Sequence, residues 1–159
     1  MDACLQLRIH LQAAPFQPAE RLAEWHGLLQ SRGAGSAAEG LFIGRVRPSA
    51  TAREGPGAGP PLAALELEHY PGMTERQLQH LAEDCCRRHG ARSCLIEHRV
   101  GRALPGEALV LVAIGADRRG PAQRCCQELL EALKHDAPFW KREWRADGSG
   151  HWLTGNTPL

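Results

Sequence analysis

Apolar and polar side chains alternate without a break over residues 4–12. Leu5, Leu7, Ile9 and Leu11 fall on one side and Gln6, Arg8, His10 and Gln12 on the other. A period of two is that of a strand with one buried face. The period then changes. Pro18 suits a first helical turn, and Leu22, Trp25, Leu28 and Leu29 recur at helical spacing to about Gln30, with Gly33 and Gly35 ending the element. Residues 40–46, around Leu41, Phe42 and Ile43, predict a second strand. Alternation returns over residues 62–70, where Leu65 and Leu67 sit between Glu66 and Glu68, so that the carboxylates meet solvent. After a Pro71-Gly72 turn, Thr74-Glu75-Arg76-Gln77 has the form of a capping box, opening a helix with Leu78, Leu81, Ala82 and Cys85 on one face and Gly90 at its end. Residues 93–100 and 108–114 predict two strands joined around Pro105-Gly106. A further helix has Pro121 in its first turn and runs through Leu129, Leu130 and Leu133 to Lys134. Pro138 keeps Ala137 out of helical geometry. Residues 140–145 and 151–153 then predict a hairpin about Asp147-Gly148-Ser149-Gly150. Strands and helices mix without strict alternation, which predicts an α+β domain rather than a doubly wound parallel sheet.

Residues 48–61 break the pattern. They are almost wholly Pro, Gly, Ala, Ser and Thr, with Arg53 and Glu54 as the only charges. No apolar side chain larger than alanine or proline is there to anchor them. A loop of this length is either functional, here as a flap after Arg45 and Arg47, or a mobile insertion. A chain of 159 residues, 43% of them hydrophobic, predicts one domain over residues 1–159, with a loose tail at 154–159. A net charge of +1 argues against a general polyanion binder. No apolar run approaches the roughly 18 residues of a membrane span, and Met1-Asp2-Ala3-Cys4 does not open a secretory leader, which makes the cytoplasm the default setting.

The six cysteines form no C-x-x-C. Cys85-Cys86 and Cys125-Cys126 lie inside helical patterns, and a zinc site built from both pairs lacks the usual ligand spacing. Buried reduced thiols are the expectation, with no metal indicated. Cys94 and His98 fall on one face of a strand, about 13 Å apart and too far to share a proton. There is no G-x-S-x-G and no glycine-rich phosphate loop in a strand-to-helix context.

Cations form three groups: Arg45 and Arg47 after a strand, Arg118 and Arg119 at a helix start, and Lys134, Lys141 and Arg142 around the Pro138 bend. Arginines at a helix N-terminus join guanidinium forks to unpaired backbone N–H groups, which suits phosphate or carboxylate. Arg118 and Lys134 stand at opposite ends of one helix, roughly 24 Å apart if it is straight. For both ends to serve one small ligand, a bend or a second chain must bring them together. A nucleic-acid module is disfavoured because the basic groups lack an aromatic platform.

Three blocks complete the picture: Leu67-Glu68-His69-Tyr70-Pro71-Gly72-Met73-Thr74, then His98-Arg99-Val100-Gly101 with Pro105-Gly106-Glu107, then Ala137-Pro138-Phe139-Trp140-Lys141-Arg142-Glu143. In that order they resemble the MoaE family, the large catalytic subunits of molybdopterin synthase, and the likeness runs from about Leu5 to Leu153. The resemblance implies an α+β fold of the α/β-hammerhead kind, with a mixed, largely antiparallel sheet. It implies a homodimer at the centre of a heterotetramer with a ubiquitin-like small subunit at each end. It also implies a sulfurtransferase that moves sulfur from the small subunit's C-terminal thiocarboxylate to cyclic pyranopterin monophosphate, with no cofactor and no metal. By the same resemblance Lys134 and Lys141 are the catalytic candidates. The substrate-binding set is Arg45, Val46, Arg47, Arg118, Arg119, Lys134, Lys141, Arg142 and Glu143. Arg45 stands where the resemblance leads one to expect a lysine, Arg118 stands where a histidine is expected, and Asn156 falls near a position that holds an arginine in some members. The last two departures keep open an alternative, a non-catalytic scaffold that retains the docking surface for the small subunit.

Overall fold

A computed structural model of the protein describes residues 5–47 and 59–153. The tail 154–159 and most of the Gly/Pro-rich loop, residues 48–58, lie outside the described residues, so the expectations placed on them find no structural counterpart. The elements are β1 (Gln6–Gln12), α1 (Pro18–Ser31), β2 (Ala38–Arg45), β3 (Leu62–His69), α2 (Met73–His89), β4 (Ser93–Arg99), β5 (Gly101–Ala103), β6 (Ala108–Ala116), α3 (Arg119–His135), β7 (Phe139–Arg145) and β8 (Gly150–Trp152).

The strands form two four-stranded sheets, not one. The first has the order β1-β4-β6-β2 and the second β5-β3-β7-β8. Only β1 and β4 run parallel; β4 with β6, β2 with β6 and all pairs of the second sheet are antiparallel. The first sheet is covered on both faces. Cys94, Ile96, Val112 and Ile114 point towards α2 and α3 and join Leu78, Ala82, Cys85, Cys125 and Leu129 in the main core. Leu95, Leu111 and Ala113 point the other way, under Trp25 and Leu29 of α1. Burial on both faces explains why β6 reads as a near-continuous apolar run while β1, at an edge, alternates; β4 is buried throughout although it carries Ser93, Glu97, His98 and Arg99. A smaller cluster of Val46, Leu62 and Ala103 ties the two sheets together.

Two local expectations change. The helix α2 opens two residues earlier than the Thr74 box: Gly72 is the cap, and its N–H donates to the Glu75 side chain at 2.6 Å. Gly72 adopts φ +80, which a side chain would resist, and Thr74 instead accepts from the Tyr70 N–H at 3.2 Å. The strand β5 had no signal of its own. It is three residues long, and it forms because Gly101, at φ +72, turns the chain out of β4 to pair with Leu67.

Candidate active site

The bend after α3 places two lysines together. Lys134 sits in the last turn of the helix, and the Asp136 N–H closes that turn on the Ala132 carbonyl at 2.8 Å. Pro138 then sits at the centre of a three-residue turn, with the Phe139 N–H donating to the Ala137 carbonyl at 2.8 Å. The chain leaves this turn as β7, in which Lys141 lies opposite Leu67 of β3. Its backbone carbonyl accepts from the Leu153 N–H at 2.8 Å, so the strand after the hairpin also fixes it.

Side chains of β7 alternate, so Phe139, Lys141 and Glu143 share one face. Phe139 stacks on His98 of β4, ring centroids 4.3 Å apart and planes 15° from parallel. The imidazole is buried, and its Nδ1–H donates to the Arg99 carbonyl at 2.8 Å; a carbonyl only accepts, so the proton sits on Nδ1 and Nε2 keeps its lone pair. Burial lowers the His98 pKa to about 4, and Lys141 and His69 nearby push the same way. Lys141 is also held below the ordinary lysine range, first by burial and then by the charge of Lys134. Lys134 remains about a third exposed, with its ammonium 3.7 Å from Glu131. Two lysines, a neutral histidine and His69 therefore converge where the end of β4 meets β7. His69 also borders a cleft of about 520 Å³ lined by Glu68, Tyr70, Trp140 and Trp152. This is the size range of small-ligand sites.

Arg142 does not join Lys141. It points to the opposite face of β7, where its guanidinium lies 3.9 Å above the Trp152 ring and 5.2 Å from the Trp144 ring. Trp144 is anchored in turn by a 2.5 Å hydrogen bond from its indole N–H to Glu66. The basic segment thus does own an aromatic platform, contrary to the sequence reading. Glu66 and Glu68, paired in register with Arg142 and Trp140, still make this face a poor match for a polyanion. Glu143 is partly buried and pairs with Arg145 at 2.6 Å.

Arg45 and Arg47 flank a buried Val46, whose N–H donates to the Glu107 carbonyl and whose own carbonyl accepts from the Gly106 N–H. Val46 is therefore a packing and backbone anchor, while both arginines stay exposed; Arg45 Nη1 reaches the Gly106 carbonyl at 3.3 Å. In register Arg45 lies opposite Ala108, at the same end of the first sheet as His98, which faces Val110. Arg118 and Arg119 stand at the other end. They follow the last residue of β6 and open α3, exposed to solvent. Seventeen residues of helix separate that end from Lys134's, roughly 25 Å. Of the expected site residues, then, the fold unites Lys134 with Lys141, puts Arg45 and Arg47 at the same end of the first sheet, and leaves Arg118 and Arg119 apart.

A family model described as MoaE protein matches residues 11–136. The chain belongs to the MoaE family. It is similar to a molybdopterin synthase catalytic subunit of Ralstonia nicotianae, 40% identical over 108 residues that cover 68% of this chain and 57% of that protein. The chain thus spans less than two thirds of that relative's length. It spans more of the counterpart in Pseudomonas aeruginosa: 36% identity over 149 residues, 94% of this chain and 91% of the other. Among solved structures, the molybdopterin biosynthesis MoaE protein from Burkholderia ambifaria superposes with a TM-score of 0.73 at 36% identity, over 96% of this chain and 92% of that one.

Lys134 and the arginines at 45, 47, 118 and 119 fall inside the family match, whereas Lys141, Arg142 and Glu143 lie just beyond it. What sequence reasoning about this MoaE chain overlooked is the floor of the site. His98 entered the sequence analysis as too distant a partner for Cys94 and as part of a family block, and Phe139 as part of another block, neither as a site residue. The available signal was a histidine two residues after the Cys94-Leu95-Ile96 run, in a strand buried throughout, where burial disfavours the charged imidazole.

Proposed function

We propose that this chain is the catalytic subunit of a molybdopterin synthase. It transfers sulfur from the thiocarboxylated C-terminus of a ubiquitin-like small subunit to cyclic pyranopterin monophosphate, building the dithiolene of molybdopterin. The observation that carries this reading is the Lys134–Lys141 pair: two ammonium groups close enough for one to lower the other's pKa, at the mouth of a buried histidine.

The chemistry asks the protein for cations and for a proton carrier, not for a nucleophile. Sulfur arrives on the partner's tail, so the buried cysteines need take no part. Once the sulfur has bonded to the substrate, water adds to the acyl carbon, a fixed ammonium stabilises the tetrahedral oxyanion in a partly desolvated site, and the oxyanion collapses to a carboxylate as the C–S bond breaks and sulfur stays on the pterin. Lys141, held below the usual lysine range, exchanges a proton at a pH closer to neutral than a solvated lysine does. Lys134, more exposed, suits the phosphate. Arg45 and Arg47 supply further charge from the end of β2. The reaction needs no cofactor of the subunit's own.

Arg118 and Arg119 serve the same pocket only if supplied by a second copy, because one chain keeps them a helix length from Lys134. A homodimer also fits the edge of the first sheet. β2 is an outer strand, and Leu41, Phe42 and Ile43 there are 50%, 40% and 45% exposed. An apolar edge strand of this kind calls for a cover. Five unpaired thiols among the described cysteines suit the cytoplasm, and no described helix is long and apolar enough to cross a membrane. The test is reconstitution: the chain is mixed with thiocarboxylated small subunit and the pterin precursor, and dithiolene product is sought by mass spectrometry. Product supports the assignment; small-subunit binding without product makes the chain a scaffold.

A further inference from the structure

Outside the lysine site, α2 and α3 meet along a seam that gathers metal-ligating side chains. Cys85 and His89 are four residues apart on α2, and Cys125 and Glu128 are three apart on α3, so each pair occupies one helix face. The two faces oppose each other. Cys85 Sγ lies 3.6 Å from Cys125 Sγ and donates to the Cys125 carbonyl at 3.4 Å. His89 Nε2 lies 2.5 Å from Glu128 Oε2. One donor atom each from Cys85, His89 and Glu128 all fall within 4.8 Å of one another. In a tetrahedral zinc site neighbouring donors are about 3.3–3.8 Å apart. The sulfur pair already matches that edge, and within the Cys85, His89 and Glu128 set no separation exceeds 4.8 Å, so these three donors reach it with shifts of about an ångström.

We propose that Cys85, His89 and Glu128, with Cys125 completing the set, bind Zn²⁺ or a cation of its class and staple α2 to α3. Two sulfurs, an imidazole and a carboxylate form a donor set that favours zinc-like ions over magnesium or calcium. Two thiolates and a carboxylate around a divalent cation leave one net negative charge. The Arg88 guanidinium, bonded to the other oxygen of Glu128, stands beside it to offset that charge. The site has a wall and a door: both sulfurs are fully buried, whereas the His89 and Glu128 side chains are 18% and 41% exposed. Without a cation, hydrogen bonding to Cys125 and burial hold the Cys85 thiol protonated far above the ordinary range. The expectation from sequence was no metal, because the four donors come from two helices some forty residues apart and match no spacing motif.

The test uses the full chain, stripped with a chelator under reducing conditions and titrated with Co²⁺. The expected result is one equivalent bound, with a visible ligand-field band of tetrahedral intensity, a thiolate-to-metal charge-transfer band, and displacement of both by Zn²⁺. Cys85→Ser and His89→Gln should each weaken binding by about tenfold or more. The His89→Gln chain, with its substitution near the surface, should keep the wild-type circular dichroism and lose the rise in Tm that Zn²⁺ gives the wild type. A weak octahedral spectrum, no uptake at micromolar Co²⁺, or tight uptake that survives both substitutions overturns the proposal.

Discussion

Phe139 stacks on His98 and thereby fixes the start of β7 against the end of β4, one strand from each sheet. The contact holds the lysine-bearing strand at the mouth of the main core, and it makes the joint sensitive to acid.

The His98 pKa is about 4 in the folded protein against an ordinary 6.5, with burial as the main cause and Lys141 and His69 as the titratable groups facing it. Between those values the unfolded chain binds a proton that the folded one refuses. Stability therefore rises with pH across the window and is lost as pH falls from 6.5 towards 4, by at most about 3 kcal/mol. His98→Gln should flatten that acid limb in urea unfolding. An unchanged pH profile would show that His98 is not the group responsible.

Lys141 should titrate below an ordinary lysine, and part of that shift comes from Lys134. Lys134→Met removes the charge but not the burial, so the Lys141 pKa should rise while staying below that of a solvated lysine. The side-chain ¹³Cε resonance of Lys141, followed against pH in both proteins, measures this directly. Identical titration curves would mean that the two ammonium groups do not interact.

The fit of α3 onto the first sheet rests on Gly40. A Cβ there would come within 2.5 Å of the Ala122 carbonyl oxygen and 3.0 Å of Cys126 Cβ, so helix or strand must move apart. Gly40→Ala should cost about 1–3 kcal/mol in urea unfolding. A variant of wild-type stability would show the helix free to slide.

Much of this arrangement was legible before the fold. The period of two in β1, the helical spacing from Leu22 to Leu29, and the stop at Ala137-Pro138 are local signals, and the elements lie within a few residues of them. The lysine pair was legible because a single bend links its members. What stayed hidden depends on pairing across the chain. Splitting the strands into two sheets required Gly101 to turn β5 towards β3. Arg142 was grouped with Lys141 because they adjoin in sequence, yet strand alternation sends them to opposite faces. Cys85, His89, Cys125 and Glu128 meet only because α2 packs on α3.

The role proposed for Lys134 and Lys141 in sulfur transfer is open to one direct test. The most direct measurement is single-turnover formation of dithiolene by Lys134→Ala, supplied with thiocarboxylated small subunit and pterin precursor, alongside its circular dichroism and its affinity for the small subunit. The account predicts wild-type folding and binding, with product formation abolished. Near-normal turnover by that variant would contradict it.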